Sequence, residues 1–138
     1  MRAEHAPPLG GAPDRIEWQS ESESGVDLLA YKLIRADDPY LAGHFPDFTI
    51  YPGVFLIESV GQVADEFARS LELWLELAAV DSVRFSAPVI PGDTLAISCR
   101  CSVTADSAVA VRAECRNDNA VRVAQLRLTY RIGGSNRA

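Results

Sequence analysis

Residues 52–71, PGVFLIESVGQVADEFARSL, decide how this chain folds. Pro52-Gly53 has the form of a helix start, because proline pre-sets the first helical φ. The residues behind it carry no second proline, and a helix of about 18 to 22 residues is predicted. Advancing by about 100° per residue gathers Val54, Ile57, Val60, Gly61, Ala64, Phe67, Ala68 and Leu71 on one half. Ser59, Gln62, Asp65, Glu66, Arg69 and Ser70 occupy the opposite arc. Phe55 interrupts that arc, and Glu58 stands at its boundary with the apolar side. One amphipathic helix is therefore expected, with its apolar half against the rest of the domain.

Downstream the period changes from 3.6 to 2. Leu95, Ile97, Cys99, Cys101 and Val103 alternate with Ser98, Arg100, Ser102 and Thr104. The pattern returns with Val109, Val111, Ala113 and Cys115 against Arg112, Glu114 and Arg116, and again with Ala124, Leu126, Leu128 and Tyr130 against Arg127, Thr129 and Arg131. Such alternation marks strands with one buried face, and residues 104–108 and 117–120 supply the turns. Upstream, VDLLAYKLI (26–34) reads as a strand apolar on both faces, closed by the turn residues 36–39. LAGHFPDFTIYPG (41–53) is irregular. One helix and about five strands predict an α+β fold, an antiparallel sheet curled over the helix.

The 138 residues are one domain's worth, enough to bury roughly two-thirds of the unfolded surface in one core. The boundaries expected are a flexible lead at 1–13, a single domain at 14–132 and a frayed tail at 133–138. A net charge of −6 lacks the basic footprint that nucleic-acid binding requires. No run reaches the length of a membrane span, and MRAEHAPPLGGAP has Pro and Gly where a signal peptide is apolar. A cytoplasmic protein without nucleic-acid or membrane partners is the expectation. Cys99, Cys101 and Cys115 have neither a CxxC spacing nor a nearby His, so they are read as small buried side chains, and no metal or cofactor is expected.

Of the two histidines, His5 lies in the expected lead, whereas His44 is framed by Gly43 and Pro46 in GHFPDF. Glu58 follows on the second turn of the predicted helix. Taken alone the pair is ambiguous: a loop histidine is commonly structural, and a boundary glutamate is commonly solvated. The surrounding residues decide more. GHFPDFTIYPGVFLIESVGQ (43–62) resembles the signature of the FabZ-type 3-hydroxyacyl-carrier-protein dehydratases, approximately GHFPxxPxxPGVLxxExxxQ. His44, Phe45, Pro46, Pro52, Gly53, Val54, Glu58 and Gln62 fall in register. VDSVRFSAPVIPGDTL (80–95) is similar to the same family's strand-and-turn segment, and the resemblance spans roughly residues 26–132.

The resemblance implies a hot-dog fold, in which a sheet wraps a long central helix, and a dimer with sites between subunits. It implies His44 from one chain and Glu58 from the other as the catalytic pair. It also implies an acyl carrier protein that presents the substrate on phosphopantetheine. A homodimer is expected, with a heterodimer or a trimer of dimers left open. Neutral His44 suits removal of the α-proton, and Glu58 would enter protonated, in a desolvated tunnel, to release hydroxyl as water. The backbone N–H of Gly53 is placed to meet the thioester oxygen, with Pro52 fixing the path into the helix. Gln62 either orients the Glu58 carboxyl or is an ordinary surface glutamine. Phe45, Phe48, Tyr51 and Phe85 are candidates for the tunnel lining.

The sequence departs from the signature at Asp47, Thr49 and Tyr51, and RIEWQSESESG stands where the family has LPHRxPFLLVDR. These changes favour a specialised pathway, such as polyene or polyketide assembly, over a housekeeping one. Alternatives are a hot-dog thioesterase, a MaoC-type hydratase, or a non-catalytic subunit that completes a heterodimer. Arg84, Arg100, Lys32 and Arg35 are candidates for a basic patch that docks an acidic carrier.

Overall fold

A computed structural model describes residues 13–35, 53–90 and 92–133. In chain order they form β1 (Arg15–Ser22), β2 (Gly25–Leu33), α1 (Gly53–Ser70), β3 (Leu75–Phe85), β4 (Thr94–Val103), β5 (Ala108–Arg116) and β6 (Arg122–Ile132). The strands make one sheet in the order β1-β2-β4-β5-β6-β3, and every neighbouring pair is antiparallel. α1 packs on the inner face of this sheet against β2, β3 and β4. This is the hot-dog arrangement.

The alternating segments became β4, β5 and β6 with their apolar sides inward. Leu95, Ile97, Cys99, Val109, Val111, Cys115, Leu126 and Leu128 are buried in one cluster with the helix residues Leu56, Val60, Val63 and Phe67. The three thiols are free and buried, as small core side chains. Desolvation pushes Cys101 and Cys115 up to about 12 and Cys99 well above the ordinary thiol value. They are held as inert thiols rather than reactive thiolates.

Two expectations need correction. Six strands are present among the described residues, not about five; β1 was not foreseen. Its residues RIEWQSES carry only Ile16 and Trp18 as large apolar side chains, so as an edge strand it leaves little periodic signal. The buried side of α1 is also rotated from the half predicted. Phe55 and Ser59, assigned to the polar arc, are buried, whereas Ile57 and Gly61 are only half-buried and Leu71 is exposed. The Ser59 hydroxyl donates to the Phe55 carbonyl at 2.9 Å, which removes the cost of burying it. The sheet covers the Leu56–Val60–Val63–Phe67 side, leaving the neighbouring apolar stripe partly uncovered.

β3 differs from the other long strands. It lies at the sheet edge, is bulged twice against β6, and leaves Leu77, Val80 and Phe85 each nearly half exposed. No helix among the described residues is long and apolar enough to cross a membrane.

Candidate active site

Glu58 sits on the second turn of α1, where the helix rolls from its buried side toward solvent, and is itself half-buried. Gln62, one turn later, donates its side-chain N–H (Nε2) to Glu58 Oε2 at 3.0 Å. The i,i+4 spacing places both on one helix face, so the carboxyl is held rather than free to rotate. Gly53 is the first residue of α1, and the first N–H groups of a helix have no partner within it.

Beneath the same turn, Gly61 admits a close approach. A Cβ added there would lie 3.5 Å from the Tyr130 hydroxyl of β6. Tyr130 is buried, and its hydroxyl is pushed well above the ordinary tyrosine value. Desolvation is the main cause, followed by the charge of Asp65, with smaller effects from Cys99, Cys101 and Glu58. Tyr130 therefore stays a neutral phenol under the helix at any ordinary pH. The sequence marked it only as an inward strand residue; the pairing of β6 with β5 brings it under Gly61.

The turn before β4 anchors the end of β2, from which the histidine-bearing segment departs. Ile34 N–H donates to the Asp93 carbonyl at 2.8 Å, and Gly92 N–H donates to the Ile34 carbonyl at 2.8 Å. Gly92 has φ +97°, a left-handed conformation that side-chain-bearing residues rarely adopt, although nothing lies within 4 Å of an added Cβ. The glycine of the PGD element is thus there for its backbone, not for space.

His44, Phe45, Phe48, Tyr51 and Pro52 lie outside the described residues. Phe85 is placed at the end of β3, opposite Ala124, and is exposed at the sheet edge rather than enclosed in a tunnel of the single chain. Of the four basic candidates, Arg84 and Arg100 line one groove on the outer face of the sheet, which Lys32 and Arg35 do not. Arg112 and Arg127 line it as well and were missed. Their alternation was visible in the sequence, but the register that sets them side by side was not.

The profile of the ApeI-like family, described as ApeI dehydratase, matches residues 19–125, most of the domain. The 3-hydroxyacyl-[acyl-carrier-protein] dehydratase FabZ of Clostridium perfringens is 35% identical over 89 residues, 59% of this chain and 59% of that relative. This chain thus spans under two-thirds of the length of the curated relatives it matches. Two solved structures share the fold. The dehydratase heterocomplex ApeI:P from Xenorhabdus doucetiae superposes with a TM-score of 0.65 at 18% identity, covering 86% of this chain and 96% of that one. A hypothetical thioesterase from Streptococcus pneumoniae, solved with coenzyme A, superposes with a TM-score of 0.63 at 15% identity, covering 88% and 90%. On the span of the profile match, with the motif residues Gly53, Glu58 and Gln62 standing together on α1, the chain belongs to the ApeI-like dehydratase family.

Proposed function

We propose that this protein eliminates water from 3-hydroxyacyl thioesters carried on an acyl carrier protein, giving trans-2-enoyl thioesters. The observation that supports this best is the half-buried Glu58 on the second turn of α1, its carboxyl held by Gln62 at 3.0 Å. Gln62 occupies Oε2, so Oε1 is left to carry the proton toward the substrate. In the proposed step His44 takes the α-proton, the Cα–H electrons form the new double bond, and the C3–OH bond breaks. The Glu58 proton leaves with that hydroxyl as water. The oxygen of the thioester, which gains charge as the α-proton departs, would be met by the Gly53 N–H at the start of α1.

The site is proposed to form between two copies, with His44 supplied by one chain and Glu58 by the other. Two features support a second copy: Ile57 and Gly61 on α1, which this chain buries only in part, with the exposed Leu71 just past the helix end, and the open, apolar edge strand β3. A long unpartnered edge is a ready template for pairing. The same edge would accept a non-identical subunit, and the solved ApeI:P complex is a heterocomplex; a partner-dependent dehydratase is the second reading. Localisation in the cytoplasm and a specialised polyene or polyketide pathway belong to the same proposal. Phe45, Phe48 and Tyr51 are proposed as tunnel lining, where aromatic rings favour planar, conjugated acyl chains by roughly 0.5–1.5 kcal/mol.

The test is incubation of the purified protein with saturated and dienyl 3-hydroxyacyl carrier thioesters, read by mass spectrometry. Loss of one water with the thioester intact is the expected result, faster for the dienyl chain. Release of free 3-hydroxy acid would instead identify a thioesterase, and activity appearing only with a second hot-dog chain would favour the heterodimer.

A further inference from the structure

The sheet face turned away from α1 carries an arrangement that the proposed reaction does not use. Cross-strand pairing runs one row through the sheet: Asp27 of β2 is opposite Arg100 of β4, Arg100 is opposite Arg112 of β5, and Arg112 is opposite Arg127 of β6. Directly opposed residues in an antiparallel pair have Cβ atoms only about 4.5–5.5 Å apart, and like charges so placed destabilise the sheet. Three consecutive arginines are an unexpected choice in a chain whose net charge is −6.

Only one of the three is neutralised. Arg100 pairs with Asp27 at 2.8 Å and also donates to Ser22 and Ser24. Glu114, the acid nearest in sequence to Arg112, is engaged by Arg116 and Arg122 at 3.3 and 3.0 Å. Among the described residues, Arg112 and Arg127 have no carboxylate partner. Both line a groove of about 940 Å³, together with Arg84, Ser82, Ser98 and Gln125.

The geometry points to a binding site for a small phosphate-bearing ligand on this outer face, held by Arg112 and Arg127. Guanidinium forks match phosphate oxygens bidentately, and two adjacent forks suit one pyrophosphoryl or two neighbouring phosphoryl groups. Ser82, Ser98 and Gln125 add neutral hydrogen-bonding groups, and the two carboxylates of the lining, Asp27 and Glu114, are already paired with Arg100 and with Arg116 and Arg122. The groove has the volume of a small-molecule site. An acidic protein surface fits less well, because it would have to cover roughly 800 Å² and so meet Asp27 and Glu114 beside the arginines.

The test is thermal unfolding of the full chain at low ionic strength, with inorganic pyrophosphate, sodium chloride of matched ionic strength, or poly-glutamate. Wild type is expected to gain roughly 3 °C or more with pyrophosphate, and clearly less with chloride. Arg112→Gln is expected to melt higher than wild type without any anion, since the like-charge row is relieved, and to lose the pyrophosphate response. Lys32→Gln, which removes one positive charge outside the groove, is expected to keep that response in full. The proposal is overturned if pyrophosphate acts no better than chloride, if Arg112→Gln responds like wild type, or if poly-glutamate stabilises where pyrophosphate does not. The readout is stability, so its outcome is independent of whether the chain dehydrates thioesters.

Discussion

The two sides of α1 make the most instructive contrast in the molecule. Leu56, Val60, Val63 and Phe67 are pressed against the sheet and buried almost completely. Around the helix toward its opposite side, Ile57, Glu58, Gly61 and Gln62 are half-buried, apolar and polar residues intermixed. The first set is packed in full within the chain, where α1 meets β2, β3 and β4, whereas of the second set Ile57 touches the core only in part and Gly61 lies over the Tyr130 hydroxyl. The second set is too apolar for a water-facing helix side and too polar for a core. This is the side on which the second subunit and the substrate are proposed to sit. Helix position thus separates residues that make the fold from residues proposed to make the reaction.

Exchanging single residues on the two sides should separate these roles. Glu58→Gln, and likewise His44→Ala, is expected to lower the dehydration rate by about 10²–10⁴, with the unfolding midpoint unchanged. If Glu58→Gln instead lowered stability while sparing the rate, the boundary side would be structural and the contrast would fail. Leu56→Ala should do the reverse, costing about 2–5 kcal/mol of stability through the cavity it leaves, as read by denaturant titration. Its kcat, measured on whatever protein remains folded, should stay near wild type.

The smallest effect belongs to the outer face of the sheet. The Arg100 guanidinium beside Asp27, aided by the Ser20 hydroxyl, holds the Asp27 carboxyl below the ordinary carboxylate value. A carboxyl depressed by folding stabilises the native state above its unfolded value, and that contribution is lost as pH falls through the folded one. The pair is largely exposed, so Asp27→Asn should cost only roughly 0–1 kcal/mol at neutral pH. The difference between wild type and variant should vanish in strong acid. A variant deficit that persisted unchanged at the lowest pH would mean that Asp27 acts through packing rather than charge.

Much of this was legible in the sequence, and the failures have physical causes. β4, β5 and β6 alternate cleanly because one face of each is buried and the other wet, so periodicity reports them directly. α1 starts at the expected Pro52-Gly53 and its 18 residues are at the short end of the predicted length, yet its buried side was misplaced. Hydropathy cannot see that the Ser59 hydroxyl would be satisfied by the Phe55 carbonyl, nor that two different surfaces would share the helix. β1 was missed because its pairing with β2 is made by backbone groups, with little apolar patterning to mark it. Glu58 and Gln62 were singled out only because GHFPDFTIYPGVFLIESVGQ aligns with a family signature. By spacing alone they are an ordinary helix pair. The arginine row was illegible for another reason: each arginine is an unremarkable outward residue of its own strand, and only the sheet register stacks them.

The central claim is that two copies join along α1 and β3 to build one dehydrating site, with Glu58 from one and His44 from the other. Co-expression of differently tagged His44→Ala and Glu58→Gln chains, followed by two-step purification of the mixed dimer, tests it most directly. Each parent homodimer should be inactive. The mixed dimer pairs the intact His44 of one chain with the intact Glu58 of the other at one of its two sites, so it should recover roughly half of wild-type dehydration activity. A mixed dimer as inactive as its parents would contradict the shared site, and so would a chain that remains monomeric at micromolar concentration while still removing water.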